Sequence, residues 1–224
     1  MYKLDLPFSE SLVVRQHVNP LSSYFQIPRE ISNPEDLFAD PRLPIHLDIG
    51  CARGQFLFSM ASLNDQSNYL GLEIRHPLVI AAERERLDLG LDNLRFIFCN
   101  VNVSLENWLI RIPENLLKVV SIQFPDPWFK KRHHKRRVLN HSLLNAFAKA
   151  LSKDSQLFIQ TDVLEVMEPI SKLIDSNQYF TLSSSTKFIS GSPFSVRTER
   201  ETYAIEKSLP IYRVTYFRNS MAWK

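Results

Sequence analysis

Apolar residues recur along this chain in short blocks that alternate between two spacings. One kind of block is a nearly continuous apolar run, which is typical of a strand buried on both faces of a sheet. The other kind repeats apolar residues every three or four positions, which is typical of an amphipathic helix. The runs predict five strands, at 45–49, 68–74, 94–99, 119–124 and 156–161.

Helical spacing follows each of these strands. The pattern predicts helices at 54–63, 77–89, 104–112 and 139–151, and one more that ends near 175. Pro77 in a first turn and Gly90 after a last turn fit the two ends of the second helix, and Ser104 is a suitable N-cap for the third. Strands that alternate with helices predict βαβ units, and therefore a mostly parallel sheet with helices on both faces.

The two ends of the chain depart from this alternation. Residues 1–43 contain five prolines and little periodicity, which predicts an irregular N-terminal arm with room for one short helix. Residues 44–224 then make up the predicted α/β domain. The apolar run at 211–218 has no helix after it, so we expect it to pair antiparallel at one end of the sheet.

Composition places the chain among ordinary globular proteins. Its 224 residues are 44% hydrophobic and 23% charged, which is enough for one substantial core. The longest apolar run, 78–82, is far too short to span a bilayer, and the early charges at Lys3 and Asp5 do not fit a signal peptide. The only cysteines, Cys51 and Cys99, favour a reducing compartment. We therefore expect a cytoplasmic protein without a membrane span.

The positive charge is concentrated in one stretch, residues 130–137, which we term the basic segment. It holds six of the 27 Lys and Arg residues, so the rest of the chain has 21 basic and 24 acidic residues, a balance of about −3. A local basic patch on a nearly neutral body predicts contact with a polyanion. The alternative is a solvated loop with no partner. The adjacent His133 and His134 fit a loop better than a metal site, so no metal is expected.

Polar residues follow the strands at the edge where a ligand would bind. In an open α/β sheet, ligands bind beyond the carboxyl ends of the strands. Four carboxylates and one amide stand at those positions, namely Asp48, Glu73, Asn100, Asp126 and Asp162. We therefore expect these side chains to collect along one edge of the sheet.

The turn after the first strand reads D-x-G-x-x-x-G and lacks the G-x-G-x-x-G of a dinucleotide site, although Gly50 and Gly54 still allow a ligand to approach closely. Asp48 would repel a phosphate and suits a cation, Glu73 can accept both hydroxyls of a ribose, and Asn100 can bond to an adenine edge. These features fit S-adenosylmethionine, an adenosine with positive charge and no phosphate. The alternatives are a surface acid at Glu73 and a simple turn residue at Asn100.

Six short motifs occur in order along the chain: DIGCARGQF (48–56), GLEIR (71–75), FPDPWFKKRHHKRR (124–137), TD (161–162), TERE (198–201) and LPIYR (209–213). Together they resemble the bacterial tRNA (guanine-N7-)-methyltransferases from about residue 12 to residue 218, and the FPDPW motif followed by the basic segment is the most specific part. The resemblance implies a Rossmann-like fold. It also implies transfer of a methyl group from S-adenosylmethionine to N7 of guanine 46 in the variable loop of tRNA.

The resemblance implies roles for particular residues. With the two turn glycines included, the residues expected to bind the cofactor are Asp48, Gly50, Gly54, Glu73, Asn100 and Asp126. Those expected to bind the substrate are Lys130, Asp162, Thr198, Glu199, Arg200 and Glu201. The remaining basic residues, expected on the tRNA backbone, are Lys131, Arg132, Lys135, Arg136 and Arg137. Asp126 is also the expected catalytic residue.

Aromatic residues around Asp126 are candidates for stacking on an extruded guanine. They are Trp128, Phe129 and Phe124, of which Phe124 is better placed to pack in the core at its strand end. The flanking prolines, Pro125 and Pro127, are expected to stiffen the loop that presents Asp126.

Three positions differ from the family's usual residues, since Ala52 stands for a glycine, Asp48 for a glutamate and Asn100 for an aspartate. Ala52 adds a methyl group where the cofactor would approach. Other functions stay open, namely methyl transfer to a different RNA or a small molecule, RNA binding without catalysis, and a nicotinamide enzyme, which the missing glycine motif disfavours. The sequence leaves monomer and homodimer equally open.

Overall fold

The computed structural model describes residues 18–223 and contains a seven-stranded sheet of order β3-β2-β1-β4-β5-β7-β6. Its strands are β1 (Ile45–Ile49), β2 (Asn68–Glu73), β3 (Leu94–Phe98), β4 (Leu117–Gln123), β5 (Gln156–Thr161), β6 (Phe180–Leu182) and β7 (Tyr212–Arg218). The first five strands run parallel to one another. The predicted α/β class and the five predicted strands are confirmed. Because β1 pairs with β2 on one side and β4 on the other, the strand order reverses there, which is where such sheets bind ligands.

The sheet is wider than the apolar pattern predicts. β7 runs antiparallel to β5, as expected, but β6 pairs with the other side of β7. The prediction that the final strand ends the sheet is therefore wrong. β6 has three residues, which is too short to show a periodicity in the sequence.

The helices are α1 (Pro34–Leu37), α2 (Gln55–Leu63), α3 (His76–Asp88), α4 (Val101–Arg111), α5 (His141–Ala150), α6 (Leu164–Asp175) and α7 (Glu199–Glu206). The start predicted for α4 is wrong, because Asn100 rather than Ser104 is its N-cap and accepts a hydrogen bond from the backbone N–H of Asn102 at 3.2 Å. The Ser104 hydroxyl instead accepts from the backbone N–H of Arg29 at 3.0 Å. Short 3₁₀ turns are present at Ser23–Gln26 and Lys131–Arg136.

Each face of the sheet carries its own apolar core. On one face, α4, α5 and α6 bury Trp108, Phe147 and Met167, each with no more than 1% of its surface exposed. On the other face, α2 and α3 pack residues such as Leu57 and Val79 against the strands. Full burial of one such side chain stabilises the fold by roughly 1.5–3 kcal/mol. Since both faces are covered by helices, the ends of the parallel strands are the places left for a ligand.

The described part of the N-terminal arm packs against the α4 side of the domain. Ile31 and Phe38 belong to the same apolar core as α4, and the indole N–H of Trp108 donates to the carbonyl of Ser32 at 2.9 Å. Residues 1–17, which the arm prediction also covers, lie outside the described residues. Within 18–223, no helix has both the length and the apolar character needed to cross a bilayer.

Candidate functional site

Two adjoining cavities open at the carboxyl ends of the parallel strands. The smaller one has a volume of about 150 Å³ and includes Glu73 and Asn100 in its wall, whereas the larger one is about 620 Å³ and includes Asp48 and Asp162. The residues that line both are Gly50, Arg75, Gln123, Phe124, Pro125 and Asp126. The five polar residues that the sequence places at this edge thus all line one cavity or the other, and Asp126 lies where the two meet.

Asp48 is a buried acid at the end of β1 with only 4% of its surface exposed. Its Oδ1 accepts hydrogen bonds from the Ser121 hydroxyl at 2.6 Å and from the Gln123 amide at 3.2 Å. The Ser121 oxygen also lies 2.8 Å from Nε2 of buried His46. Because Ser121 has one hydroxyl proton, which it gives to Asp48, His46 must hold its proton on Nε2.

The ionisation of Asp48 is set mainly by burial. Burial raises the pKa of Asp48 to about 6. The hydrogen bonds from Ser121 and Gln123 lower this pKa, and the negative charge of Glu73 raises it by a smaller amount. The pKa of His46 falls to about 3 because its charged form would be fully desolvated. His46 is therefore neutral at physiological pH, and Asp48 is mostly ionised.

The Glu73 carboxylate, which is 3% exposed, already accepts four hydrogen bonds from the chain. Oε1 accepts from the backbone N–H and Nε of Arg75 at 2.9 and 3.0 Å, and Oε2 accepts from Nη2 of Arg75 and the backbone N–H of Ala52, at 2.9 and 3.0 Å. Two of the four come from one guanidinium fork. A ribose diol, which likewise offers two neighbouring donors, would bind Glu73 in place of that fork.

Asn100 connects the smaller cavity to the N-terminal arm. Its amide nitrogen donates to the carbonyls of Pro20 and Phe25 at 3.0 and 3.1 Å. Its amide oxygen caps α4 through Asn102. Because Pro20 itself lines the smaller cavity, Asn100 holds one wall of that cavity in place. An aspartate at this position would lack both donors.

The turn between β1 and α2 depends on left-handed backbone at successive points. Gly54 precedes α2 with φ of +79°, and a Cβ at this position would collide with the ring of Phe96. Ala52 also has positive φ, +53°, a conformation that costs a residue with a Cβ about 1 kcal/mol or more. Its backbone N–H is the one that donates to Glu73, so the strained turn ties the end of β1 to the end of β2.

The FPDPW motif forms a constrained loop after β4. Its first and last residues, Phe124 and Trp128, have φ of +49° and +41°, which are unusual for aromatic side chains. Strain of this kind is most often found where a loop must present a side chain to a ligand. Phe124 lines both cavities and is half-buried, so the expectation that it packs inside the core is wrong. The loop carries Asp126 between these two strained positions.

The basic segment follows directly as an exposed 3₁₀ turn. Arg136 lies over the ring of Trp128 at 5.0 Å, and His133 meets the same ring edge-on at 5.8 Å between centroids. Trp128 thereby fixes the basic segment to the wall of the smaller cavity, which Arg136 also lines. Lys131 and Lys135 are exposed, as is Lys130 at the start of the turn, which lines neither cavity. Phe129 is also exposed, at 63%.

Helix α7 supplies the far wall of the larger cavity. Thr198 is its N-cap, with the hydroxyl accepting from the backbone N–H of Glu201 at 3.1 Å, and Thr198, Glu199 and Arg200 line the cavity. Arg200 pairs with Asp162 at 2.5 Å. Glu201, in contrast, is 1% exposed and turned inward, so its carboxylate contacts protein groups rather than the cavity.

Several residues that shape this site were absent from the sequence prediction. Arg75 and Gln123 line both cavities, and Gln160 and Arg213 lie behind them in the sheet. The available signal was a polar residue at the end of an otherwise apolar strand, as in SIQ and FIQ. The missed helix α7 also had a signal, since T-x-x-E at 198–201 is a capping-box pattern.

The donor set fits S-adenosylmethionine. Asp48 presents a buried carboxylate for a cationic ammonium, Glu73 offers two acceptor oxygens for a diol, and Asp126 lies where the two cavities meet. In the described part of the chain, no group of three His, Cys, Asp or Glu side chains is arranged to hold a metal ion.

Comparisons with known proteins find relatives that match most of the chain. The model of the family Methyltransf_4, described as "Putative methyltransferase", matches residues 42–214. The chain is 56% identical to the tRNA (guanine-N(7)-)-methyltransferase of Prochlorococcus marinus (strain MIT 9313), over 92% of this chain and 88% of that protein. It is 52% identical to the protein of the same name from Parasynechococcus marenigrum (strain WH8102), over 92% and 89%.

Solved structures of low identity share the fold. The plantazolicin methyltransferase BamL, solved with S-adenosylhomocysteine (SAH), has a TM-score of 0.51 at 15% identity and covers 79% of this chain and 77% of its own. A precorrin-6y C5,15-methyltransferase from Geobacter metallireducens GS-15 has a TM-score of 0.50 at 10% identity, with 83% and 86% covered. At these identities the likeness concerns the Rossmann-like methyltransferase fold alone.

Proposed function

This chain belongs to the tRNA (guanine-N(7)-)-methyltransferase family, and on that premise we propose that it transfers a methyl group from S-adenosylmethionine to N7 of a guanine in tRNA. We place the target at guanine 46 of the variable loop, as the family resemblance implies, and the reaction in the cytoplasm. The observation that carries the proposal is the pair of cavities that share Asp126 in their common wall. A group transfer between two large ligands needs such an arrangement, in which each ligand has its own cavity and the reacting atoms meet between them.

The smaller cavity suits the adenosine part of the cofactor. Glu73 would accept the two ribose hydroxyls once the Arg75 guanidinium moves aside, while the backbone N–H of Ala52 keeps the carboxylate in place. Asn100 would bound the adenine end through its links to the arm. Asp48, beside the first turn, would attract the ammonium group. When bound, S-adenosylmethionine supplies an electrophilic methyl group on a sulfonium.

Guanine N7 has a free lone pair and carries no proton, so the reaction needs no general base. Positive charge moves onto the purine as the methyl group is transferred, and a nearby carboxylate stabilises that charge. Asp126 is the carboxylate in position to do so, and it can also accept from the N1–H or N2–H of guanine and hold the base. We therefore assign Asp126 to electrostatic stabilisation and positioning rather than to proton abstraction.

The larger cavity and the basic segment suit the tRNA. Thr198, Glu199, Arg200 and Asp162 would surround the extruded guanosine. Lys130 to Arg137 would contact phosphates around it, because cations outside the cavity can neutralise the backbone without reading its sequence. In this arrangement the adenosine lies in the smaller cavity, and the larger cavity takes the guanine together with the ammonium end of the cofactor at Asp48.

The direct test is transfer of label from methyl-labelled S-adenosylmethionine to a tRNA transcript. We expect label on a transcript with guanine at position 46 and no label when that guanine is replaced by adenine. Equal labelling of the two transcripts would refute the assigned nucleotide, and labelling of ribosomal RNA alone would favour a different RNA substrate.

A further inference from the structure

A line of polar side chains crosses the sheet from the cavity wall to helix α7. It runs from Asp48 on β1 through Gln123 on β4 and Gln160 on β5 to Arg213 on β7 and Glu201 on α7. Gln160 is fully buried, and Glu201 and Arg213 are 1% and 7% exposed. Polar groups placed so deeply are costly unless they are bonded, so their contacts call for an explanation.

Between Arg213 and Asp48, the hydrogen bonds of this line all run in one direction. Nε of Arg213 donates to Oε1 of Gln160 at 3.1 Å. Nε2 of Gln160 donates to Oε1 of Gln123 at 2.8 Å, and Nε2 of Gln123 donates to Asp48 at 3.2 Å. Since an arginine can only donate and an ionised carboxylate can only accept, the two ends fix the orientation of both amides. Donors aligned in this way polarise one another and support the negative charge on Asp48.

At the end opposite Asp48, the line is hydrogen-bonded to helix α7. Glu201, in its first turn, accepts from Nη2 of Arg213 at 2.7 Å and from Nε2 of Gln160 at 3.2 Å. The three residues that precede Glu201 are those that line the larger cavity. Gln160 therefore donates both to Gln123, which donates to Asp48, and to Glu201 in α7, although it lines neither cavity itself.

We infer that Gln160 is a positioning residue that couples Asp48, proposed to hold the ammonium group of the cofactor, to helix α7, proposed to contact the extruded guanosine. The inference rests on the proposed function for the identity of the two ligands. It assigns Glu201 a role different from direct substrate contact, because its carboxylate fixes the position of α7 against the sheet. Binding of the cationic cofactor at Asp48 would be transmitted through these hydrogen bonds and would stabilise α7 for contact with the tRNA.

The test uses Gln160→Met, which keeps the length of the side chain and removes all its hydrogen bonds. We expect the dissociation constant for S-adenosylmethionine, measured by calorimetry, to rise about 10-fold, which corresponds to about 1.4 kcal/mol. In the wild-type protein the cofactor should slow amide hydrogen exchange in residues 199–206. In the variant that slowing should be lost. Gln160→Glu, which still accepts from Arg213 but cannot donate to Gln123, should behave in the same way.

Thr215→Val is the matched control. Thr215 lies on β7, is 4% exposed, and its hydroxyl has no hydrogen-bond partner among residues 18–223, so the change removes a buried polar atom from the same sheet without touching the line. It should leave both measurements as in the wild type. A Gln160→Met protein that binds the cofactor normally and still protects α7 would overturn the coupling and leave the proposed function standing. Conversely, cofactor binding with normal coupling but no methylation of tRNA would count against the proposed function alone.

Discussion

The smaller cavity and the basic segment differ in how far their side chains are bonded to other protein groups before a ligand binds. In the smaller cavity, Glu73 and Asn100 are already bonded to Arg75, Ala52 and the carbonyls of the arm. In the basic segment, no Lys or Arg forms an ion pair with any acid among residues 18–223. One region holds its side chains in place before binding, whereas in the other Lys130, Lys131 and Lys135 are exposed to solvent.

This difference predicts two kinds of binding. A ligand of the smaller cavity must exchange bonds that the chain already makes, so its affinity depends on geometry, and a cofactor that also reaches Asp48 depends on the ionisation of that residue. A ligand of the basic segment gains by releasing counterions, so its affinity depends steeply on salt. Asp126 lies where the two cavities meet, and removing it should affect neither kind of binding as strongly as it affects the reaction.

The largest expected effect is therefore that of Asp126→Ala. We expect kcat for tRNA methylation to fall about 10³-fold, because the charge that forms on the purine loses its carboxylate. The dissociation constants for cofactor and tRNA should change far less. Asp126→Asn, which keeps the shape and loses the charge, should be nearly as inactive. Turnover within about 5-fold of wild type in either variant would rule out the central role of this residue.

The next effect concerns the ionisation of Asp48. Since its pKa is about 6, cofactor affinity should fall by about tenfold per unit as the pH drops below 6, and Asp48→Asn should remove this dependence. The stability effect has the opposite sign. A pKa raised above 3.8 means that ionisation opposes folding, so Asp48→Asn should melt at a higher temperature than wild type at pH 7, and the gap should close toward pH 4. Cofactor affinity that stays constant from pH 7 to pH 5 would contradict this account.

The basic segment gives a third test through Lys131→Ala combined with Lys135→Ala. Both lysines are exposed, and neither lies over Trp128, which makes them a cleaner choice than Arg136. We expect tRNA binding to weaken about 10-fold at low salt and its log–log salt slope to become shallower by about 0.7–0.9 per lost phosphate contact. Cofactor affinity should be unchanged. The exposed Lys149 and Lys172, on α5 and α6, provide the control pair, whose loss should leave the slope as it is.

Asn100→Asp tests whether the hydrogen bonds of Asn100 hold the N-terminal arm at the wall of the smaller cavity. The aspartate loses both donors to the arm and brings a negative charge close to two carbonyls, while its carboxylate can still cap α4. We expect amide exchange in residues 20–27 to speed up by about 10-fold, because each lost hydrogen bond contributes about 1 kcal/mol. Ser104→Ala, which removes only the bond to Arg29, should give a smaller change in exchange. An arm that exchanges at the wild-type rate in Asn100→Asp would show that Asn100 does not hold it.

The smallest effect should come from Ala52→Gly. Glycine relieves the left-handed strain at φ of +53° but adds freedom to the unfolded chain, so the net gain in unfolding free energy is at most about 1 kcal/mol. For a chain of this size that corresponds to about 2–4 °C in melting temperature. Thermal unfolding measures it directly. A lower melting temperature would mean that the added freedom of the unfolded chain, together with any packing of the Ala52 methyl group, exceeds the strain that glycine relieves.

The sequence was most informative where periodicity and strand order decide the structure. The five parallel strands and the residues that end them could be read from apolar runs, and the sheet rule then collected Asp48, Glu73, Asn100 and Asp126 at one edge. Strand β6 and the partners of β7 could not be read, because a three-residue strand has no period and pairing is decided by distant residues. Helix α7 could have been found from its capping box.

The contacts inside the site could not be predicted from the sequence, for a different reason. Nothing in the pattern near Glu73 says that Arg75 folds back on it, or that Asn100 reaches Pro20, which lies 80 positions earlier in the chain. Gln123, Gln160 and Arg213 come from three strands, and they form one line only once the register of those strands is known. Each of these residues alone is an ordinary polar residue at a strand end.

The most direct test of the central claim is chemical mapping of the methylated base. N7-methylguanosine loses its base readily after borohydride reduction, and aniline then cleaves the chain at that nucleotide. After incubation of this protein with S-adenosylmethionine and unmodified tRNA, we expect one new cleavage site, at guanine 46, which is absent with Asp126→Ala. Methyl incorporation without cleavage at any guanine would contradict the claim that the larger cavity presents guanine N7 to the cofactor.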